Sequence, residues 1–295
     1  MDGLSFGELL EFFGFAIAAT LIAGLVCPLV GTFLLVRRTG FYGIALPQFA
    51  ATGVAFGFAV LPWWQEYVGL GIDSESLSGG EHIGLNYHLL WASVFTFGAL
   101  GVLLLGRGKG TETGRVAAAF AIASALTILF AHTSPAGDIY VHELLRGEIL
   151  AIGLHEFDTL AIVLGVVLVA IVIAHRDLVL ISYDRESAIV LGKPVLAWEG
   201  LLQLLTGATI ATGVMTVGPV LLFGLLVLPP LAARTLATSM VSYFRWSSAM
   251  GVLSALGGLA ISFELDWPLG PSVVLAGFLL VVCVGGIGRL RGGSR

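Results

Sequence analysis

Long apolar runs separated by short polar gaps dominate the chain. A helix needs about 20 mostly apolar residues to cross the hydrocarbon core of a bilayer. Runs of that kind fall at 9–36, 41–61, 88–105, 116–131, 157–174, 198–214, 217–233, 247–263 and 271–290. The pattern predicts an all-α, polytopic membrane bundle of about nine transmembrane helices. The sixth and seventh runs are the hardest to separate, because 201–233 is nearly continuous and broken only by Gly213, Gly218 and Pro219. Residues 134–158 are too polar to cross and read as an outer loop with a short helix at 139–152. Nothing outside the runs is long enough for a soluble domain, so 1–295 is expected to form one transmembrane domain.

Charge in the gaps gives an orientation. Arg37 and Arg38 follow the first run; Arg107, Lys109 and Arg115 lie between the third and fourth; Arg176, Arg185 and Lys193 lie between the fifth and sixth. Arg234 and Arg245 come after the seventh run, and Arg289, Arg291 and Arg295 end the chain. The second gap carries Glu66, Asp73, Glu75 and Glu81 and no cation. Cytoplasmic loops of membrane proteins carry the Lys and Arg excess. Nine crossings with the N-terminus outside and the C-terminus inside sort all but Arg146 of the 14 Lys and Arg residues to the cytoplasmic side.

Composition agrees. The 295 residues are 57% hydrophobic and 11% charged, against about 25% charged in soluble domains. The N-terminal 13 residues hold Asp2, Glu8 and Glu11 and no cation. A secretory leader begins with a basic segment, so the first run reads as a retained span. Cys27 and Cys283 fall inside apolar runs and read as small buried hydrophobes rather than a disulfide. Several chemistries lack their motifs. Gly108-Lys109-Gly110 and Gly192-Lys193-Pro194 do not make a phosphate-cradling P-loop, and His142-Glu143 and His155-Glu156 lack the second His of a zinc-protease helix. Ion-coupled carriers place carboxylates near mid-membrane, and these runs are almost free of them.

Three stretches carry candidate chemistry. In 31–57, Ile44, Gln48 and Thr52 share a helix face at i, i+4 and i+8, one turn from Pro47. A Gln inside a span points at a partner helix or at a wet path, and the sequence leaves both open. In 175–195 a mixed-charge loop with Ala188, Val190 and Leu191 at helical spacing and Gly192 as a stop suits a short helix that docks a soluble partner, or an ordinary solvated loop. In the sixth run Gln203, Thr206, Thr209, Thr212 and Thr216 recur on one side. They line a path, or each Thr bonds the carbonyl four residues back. His82 and His88 lie near Glu75 and Glu81 at the outer side. Imidazole with carboxylate is metal-ligand chemistry, and solitary surface histidines are the plainer reading.

The order of segments resembles the permease subunits of the ABC transporters for zinc, manganese and chelated iron. The likeness rests on Phe41-Tyr42-Gly43-Ile44-Ala45-Leu46-Pro47-Gln48-Phe49-Ala50 with Gly53-Val54-Ala55, on Leu144-Leu145-Arg146-Gly147-Glu148-Ile149-Leu150 with Asp158-Thr159-Leu160, and on Ile181-Ser182-Tyr183-Asp184-Arg185-Glu186-Ser187-Ala188 closed by Leu191-Gly192-Lys193-Pro194-Val195. It rests also on Val217-Gly218-Pro219-Val220-Leu221-Leu222 with Leu226-Val227-Leu228-Pro229-Pro230, and on Asp266-Trp267-Pro268-Leu269-Gly270-Pro271-Ser272.

The resemblance implies a non-enzymatic transport subunit of an ATP-driven importer in a bacterial cytoplasmic membrane. It implies no cofactor on this chain, because ATP is used by a separate ATP-binding subunit. It also implies an extracytoplasmic solute-binding protein, a second permease copy or paralogue, and no nucleic-acid partner. Tyr183, Asp184, Glu186, Ala188 and Gly192 would form the ATPase-docking loop. From the polar faces read above, Gln48, Thr52, Thr209 and Thr216 are the expected substrate-pathway residues. The family's Asp and His are replaced here by Ile44 and Gln48, which weakens a bare-ion site and leaves a chelate, a site elsewhere or a ligand-bearing second permease. The competing readings are a secondary ion-coupled transporter, which needs no ATPase, and an intramembrane enzyme.

Overall fold

The computed structural model describes residues 6–68, 82–105, 112–133 and 153–292, with side-chain surroundings for 13–63, 87–103, 113–133 and 153–286. In chain order the helices are α1 (Phe6–Val36), α2 (Tyr42–Val68), α3 (His82–Leu105), α4 (Glu112–His132), α5 (Leu154–Tyr183), α6 (Arg185–Val190), α7 (Val195–Val217), α8 (Pro219–Ala233), α9 (Met240–Leu265) and α10 (Leu269–Gly292). No strand occurs among the described residues. Every apolar run read from the sequence falls on one of these helices. Seven are long and apolar enough to cross a membrane, and two shorter apolar helices span Tyr87–Leu103 and Pro219–Ala233. The short outer helix expected at 139–152 lies outside the described residues, as does Arg146.

The near-continuous stretch 201–233 breaks at Gly218, whose backbone adopts φ 80 and ψ 157. That left-handed conformation suits a residue without Cβ. Pro219 then opens α8, where its missing N–H costs nothing. At 15 residues and 1.5 Å per residue, α8 is only about 22 Å long, short of the roughly 30 Å hydrocarbon core. Its packing accounts for this. Leu221, Leu222, Leu225 and Leu226 are buried, and α8 packs on α1, α9 and α10. Protein, not lipid, surrounds its backbone, so its length need not match the bilayer.

Small residues let these helices approach. Gly31 lies so close to the Leu226 carbonyl that a Cβ there would collide with it. Gly24 faces Gly251, where a Cβ on Gly24 would sit 2.8 Å from the Gly251 oxygen. Near this contact Thr32 Oγ1 bonds Ser247 Oγ at 2.9 Å, and Ser248 Oγ donates to the Leu25 carbonyl at 2.7 Å. These contacts fix α1 against α9.

Several helices run longer than their apolar cores predict, α5 and α9 among them. The expected end of α5 at residue 174 gives way to Tyr183, because Leu178 and Ile181 continue the buried stripe Leu160, Leu164, Val167, Ile171, Ala174. That stripe repeats at three and four residues, the spacing of a helix face packed on a core. The polar trio His175-Arg176-Asp177 only interrupts its outer side. Helix α9 begins at Met240 because the Ser239 hydroxyl accepts a hydrogen bond from the Ser242 N–H at 3.2 Å. Cys27 is buried as expected, whereas Cys283 is exposed on α10, and both are free.

Candidate functional site

Helix α6 is a six-residue helix held by its own caps. At its start Asp184 accepts from the Ser187 N–H at 2.9 Å and from the Ser187 hydroxyl at 2.5 Å. The hydroxyl bond first, and the backbone bond second, hold the Asp184 carboxyl below its ordinary pKa. At its end Gly192 takes φ +70, and the chain reverses. The Gly192 N–H bonds the Ile189 carbonyl at 2.9 Å and the Lys193 N–H bonds the Ala188 carbonyl at 3.0 Å. This pair is the Schellman arrangement, and it confirms Gly192 as the stop expected from the sequence.

Ion pairs fasten this turn to the bundle. Lys193 Nζ meets Asp177 Oδ1 of α5 at 2.7 Å. Arg185 Nε meets Glu199 Oε1 of α7 at 3.0 Å, and Arg37 of the α1 terminus reaches the same oxygen at 3.3 Å. Ala188 is fully buried and presses α6 down on α5 and α7. Outward, Tyr183, Ile189, Val190, Leu191 and Leu196 are exposed, Val190 at 87%, and Glu186 is exposed beside them. A clamped turn with an apolar crown and a charged border has the make-up of an interaction surface. All five candidate docking residues therefore belong to one unit: Asp184 and Gly192 shape it, Ala188 seats it, and Tyr183 and Glu186 face outward.

The second constellation lies between α2 and α4. Gln48 Nε2 donates to Thr127 Oγ1 at 3.3 Å, and Thr52 Oγ1 and Thr127 Oγ1 lie 2.9 Å apart. Thr52 also lies within bonding distance of the Gln48 carbonyl at 2.8 Å and the Ala123 carbonyl at 3.0 Å. Gln48 and Thr52 thus share a face as predicted, and Gln48 bonds a neighbouring helix. Ile44 is half-buried one turn away. Thr209 and Thr216 of α7 are buried, and their hydroxyls bond the Leu205 and Thr212 carbonyls at 2.7 and 3.0 Å. They are satisfied within their own helix.

His88 is 3% exposed and stacks on Phe58 with ring centroids 4.3 Å apart. His82 opens α3, and its side chain lies outside the described residues, as do Glu75 and Glu81. Among the described residues no three His, Cys, Asp or Glu side chains converge on one point.

Sequence reasoning missed Thr127, Asp177 and Glu199. Glu199 left one signal: it is the last carboxylate before Glu264 and sits at the start of an apolar helix.

Known proteins share this layout. The family model described as the ABC 3 transport family matches residues 10–72 and 75–285. The "Manganese import system permease protein ScaB" of Streptococcus gordonii is 26% identical over 271 residues, covering 90% of this chain and 87% of that protein. The "Probable iron transport system membrane protein" of Haemophilus influenzae is 26% identical over 265 residues, covering 90% and 85%. The solved structure "PsaBC from Streptococcus pneumoniae in complex with Fab" superposes with a TM-score of 0.76 at 23% identity, covering 95% of this chain and 94% of that one.

Proposed function

The chain belongs to the ABC 3 transport family, and we propose that it forms the translocation path of an importer for a divalent metal ion or a metal chelate. It is a permease subunit, and ATP hydrolysis resides in a separate subunit. The observation that carries the cargo reading is the likeness, over nine-tenths of the chain, to relatives named for manganese and iron transport. The replacement of a carboxylate and an imidazole by Ile44 and Gln48 favours the chelate, because a side-chain amide offers a divalent cation only one weak oxygen.

In this reading all of 1–295 is one transmembrane domain of a bacterial cytoplasmic membrane, with nine crossings, N-terminus outside and C-terminus inside. Helix α8 counts as a crossing because the cations before α7 and after α8 then share a side. The turn at 183–192 faces the cytoplasm and receives the ATP-binding subunit on Val190, Leu191 and Leu196. A solute-binding protein delivers cargo at the outer face, and a second permease pairs with this one in the membrane. Gln48 and Thr52 border the path; Thr209 and Thr216 shape its α7 wall. His82 is the candidate for an outer contact with metal, whereas His88, expected at the surface, is buried against Phe58. No cofactor is bound by this chain.

Purification of the tagged chain from membranes tests the assembly. A nucleotide-binding subunit should accompany it, and reporters at 106–111 and 183–194 should both lie in the cytoplasm. A chain that transports with no such subunit is a secondary carrier, and this reading fails.

A further inference from the structure

A groove of about 510 Å³ opens between the inner ends of α5 and α9, lined by His175, Arg176, Val179, Leu180, Met240 and Val241 among others. Its lining is mostly apolar. At its edge the His175 ring meets Phe244 edge-on with centroids 4.9 Å apart, and Phe244 in turn packs on Phe33 of α1 at 4.6 Å. Above it, towards mid-membrane, Val169, Val172 and Ile173 continue an exposed apolar strip along α5.

The charges around this groove differ from those around α6. Arg37, Arg185 and Lys193 each have a carboxylate within 3.3 Å. Among the described residues Arg176, Arg234 and Arg245 make no ion pair. Arg176 lines the groove, and Arg245 lies one helical turn beyond Val241. The chain has no Asp or Glu between Glu199 and Glu264, so α9 brings no countercharge to this edge. A second copy related by a two-fold axis here would set Arg176 against the same cations. An anionic headgroup supplies the missing charge, and its acyl chain fits the apolar floor and strip. Basic pockets between helices on the cytoplasmic side recognise anionic lipid headgroups in this way.

We propose that the groove between α5 and α9 holds one anionic phospholipid of the inner leaflet, with its phosphate at Arg176 and Arg245 and an acyl chain along Val179 and Val172. The lipid would wedge two helices whose inner ends flank α1. This rests on the membrane placement of the bundle and not on any cargo.

The test is native mass spectrometry of the purified full chain titrated with phosphatidylglycerol or phosphatidylcholine. Wild type should retain phosphatidylglycerol preferentially. Arg176→Gln with Arg245→Gln should lower that preference by about five-fold per arginine, whereas Arg→Lys at both should keep most of it. Val179→Trp fills the groove, leaves the cations and should reduce retention of both lipids, which covers failure of the double variant to fold. Unchanged preference in the double Arg→Gln variant, or unchanged retention of both lipids in Val179→Trp, overturns the proposal. So does efficient disulfide cross-linking between copies carrying Val179→Cys, which would put a second permease in the groove. A chain that binds lipid as expected but moves no metal sinks the transport reading and leaves this one standing.

Discussion

Arg185 and Glu199 meet at 3.0 Å across the turn between α6 and α7, on the carboxylate oxygen that also holds Arg37 at 3.3 Å. One acid thereby ties α6 to the end of α1 and the start of α7. In the proposed assembly a bound ATPase that moves α6 would act through Glu199 on α1, which packs along α8 and α9. Glu199→Gln should keep the fold, since partly exposed pairs contribute only about 1 kcal/mol. It should lower transport per ATP hydrolysed while the ATP-binding subunit still co-purifies. Unaltered stoichiometry in proteoliposomes would remove Glu199 from the coupling route.

Gly192 should tolerate no side chain well. A non-glycine residue at left-handed φ costs roughly 1–2 kcal/mol, and Val adds branching at Cβ. Gly192→Val is expected to unravel the end of α6 and reduce the co-purified ATP-binding subunit several-fold. The thermal unfolding of the bundle should barely move. Wild-type yield of the partner would show that the turn is not its seat.

Asp184 predicts a pH signature. Its carboxyl is held below the ordinary value of 3.8 by the Ser187 hydroxyl and N–H. A depressed folded-state pKa means that the ionised form stabilises the cap. That contribution is complete above the unfolded value and is lost as pH falls below 3.8 through the folded one. A spin label at Val190→Cys should therefore gain mobility only under those acid conditions. In Asp184→Asn the same label should lose this pH response.

Glycine positions in the bundle should split by sign. Gly31→Ala drives a methyl into the Leu226 backbone, and overpacking of this kind costs about 1–3 kcal/mol. Gly165→Ala meets nothing within 4 Å and replaces a poor helix former, so it should stabilise or leave unchanged. Thermal unfolding in detergent of the two variants compares them directly, and equal effects would contradict the close contact of α1 with α8.

Much of this architecture is legible in the sequence because it arises from local rules. The break at Gly218-Pro219, the stop at Gly192 and the face shared by Gln48 and Thr52 follow from backbone freedom and helical period. The inner third of α5 is not, since three polar residues hide a buried stripe that a hydropathy window averages away. Long-range pairings cannot be read from local pattern. Arg37 and Glu199 are 162 residues apart, and Gln48 and Thr127 are 79 apart. The restraint on Gln48 came from Thr127, a residue that reads in sequence as one more small polar position in an apolar helix.

The Ile44 and Gln48 pair makes a specific prediction about cargo. Ile44→Asp with Gln48→His puts two strong ligands one turn apart on α2. The purified variant should compete with a fluorescent chelator for zinc or manganese, while the wild-type chain competes weakly. Equal competition by both would place any metal site elsewhere and remove the argument for a chelate.

The most direct measurement is the elemental content of cells grown under metal limitation with and without this chain, complemented by wild type or Gly192→Val. Zinc, manganese or iron should fall in its absence, recover with wild type, and recover poorly with the variant whose docking turn is broken. Unchanged levels of all three metals across limiting media would contradict an ATP-driven metal importer.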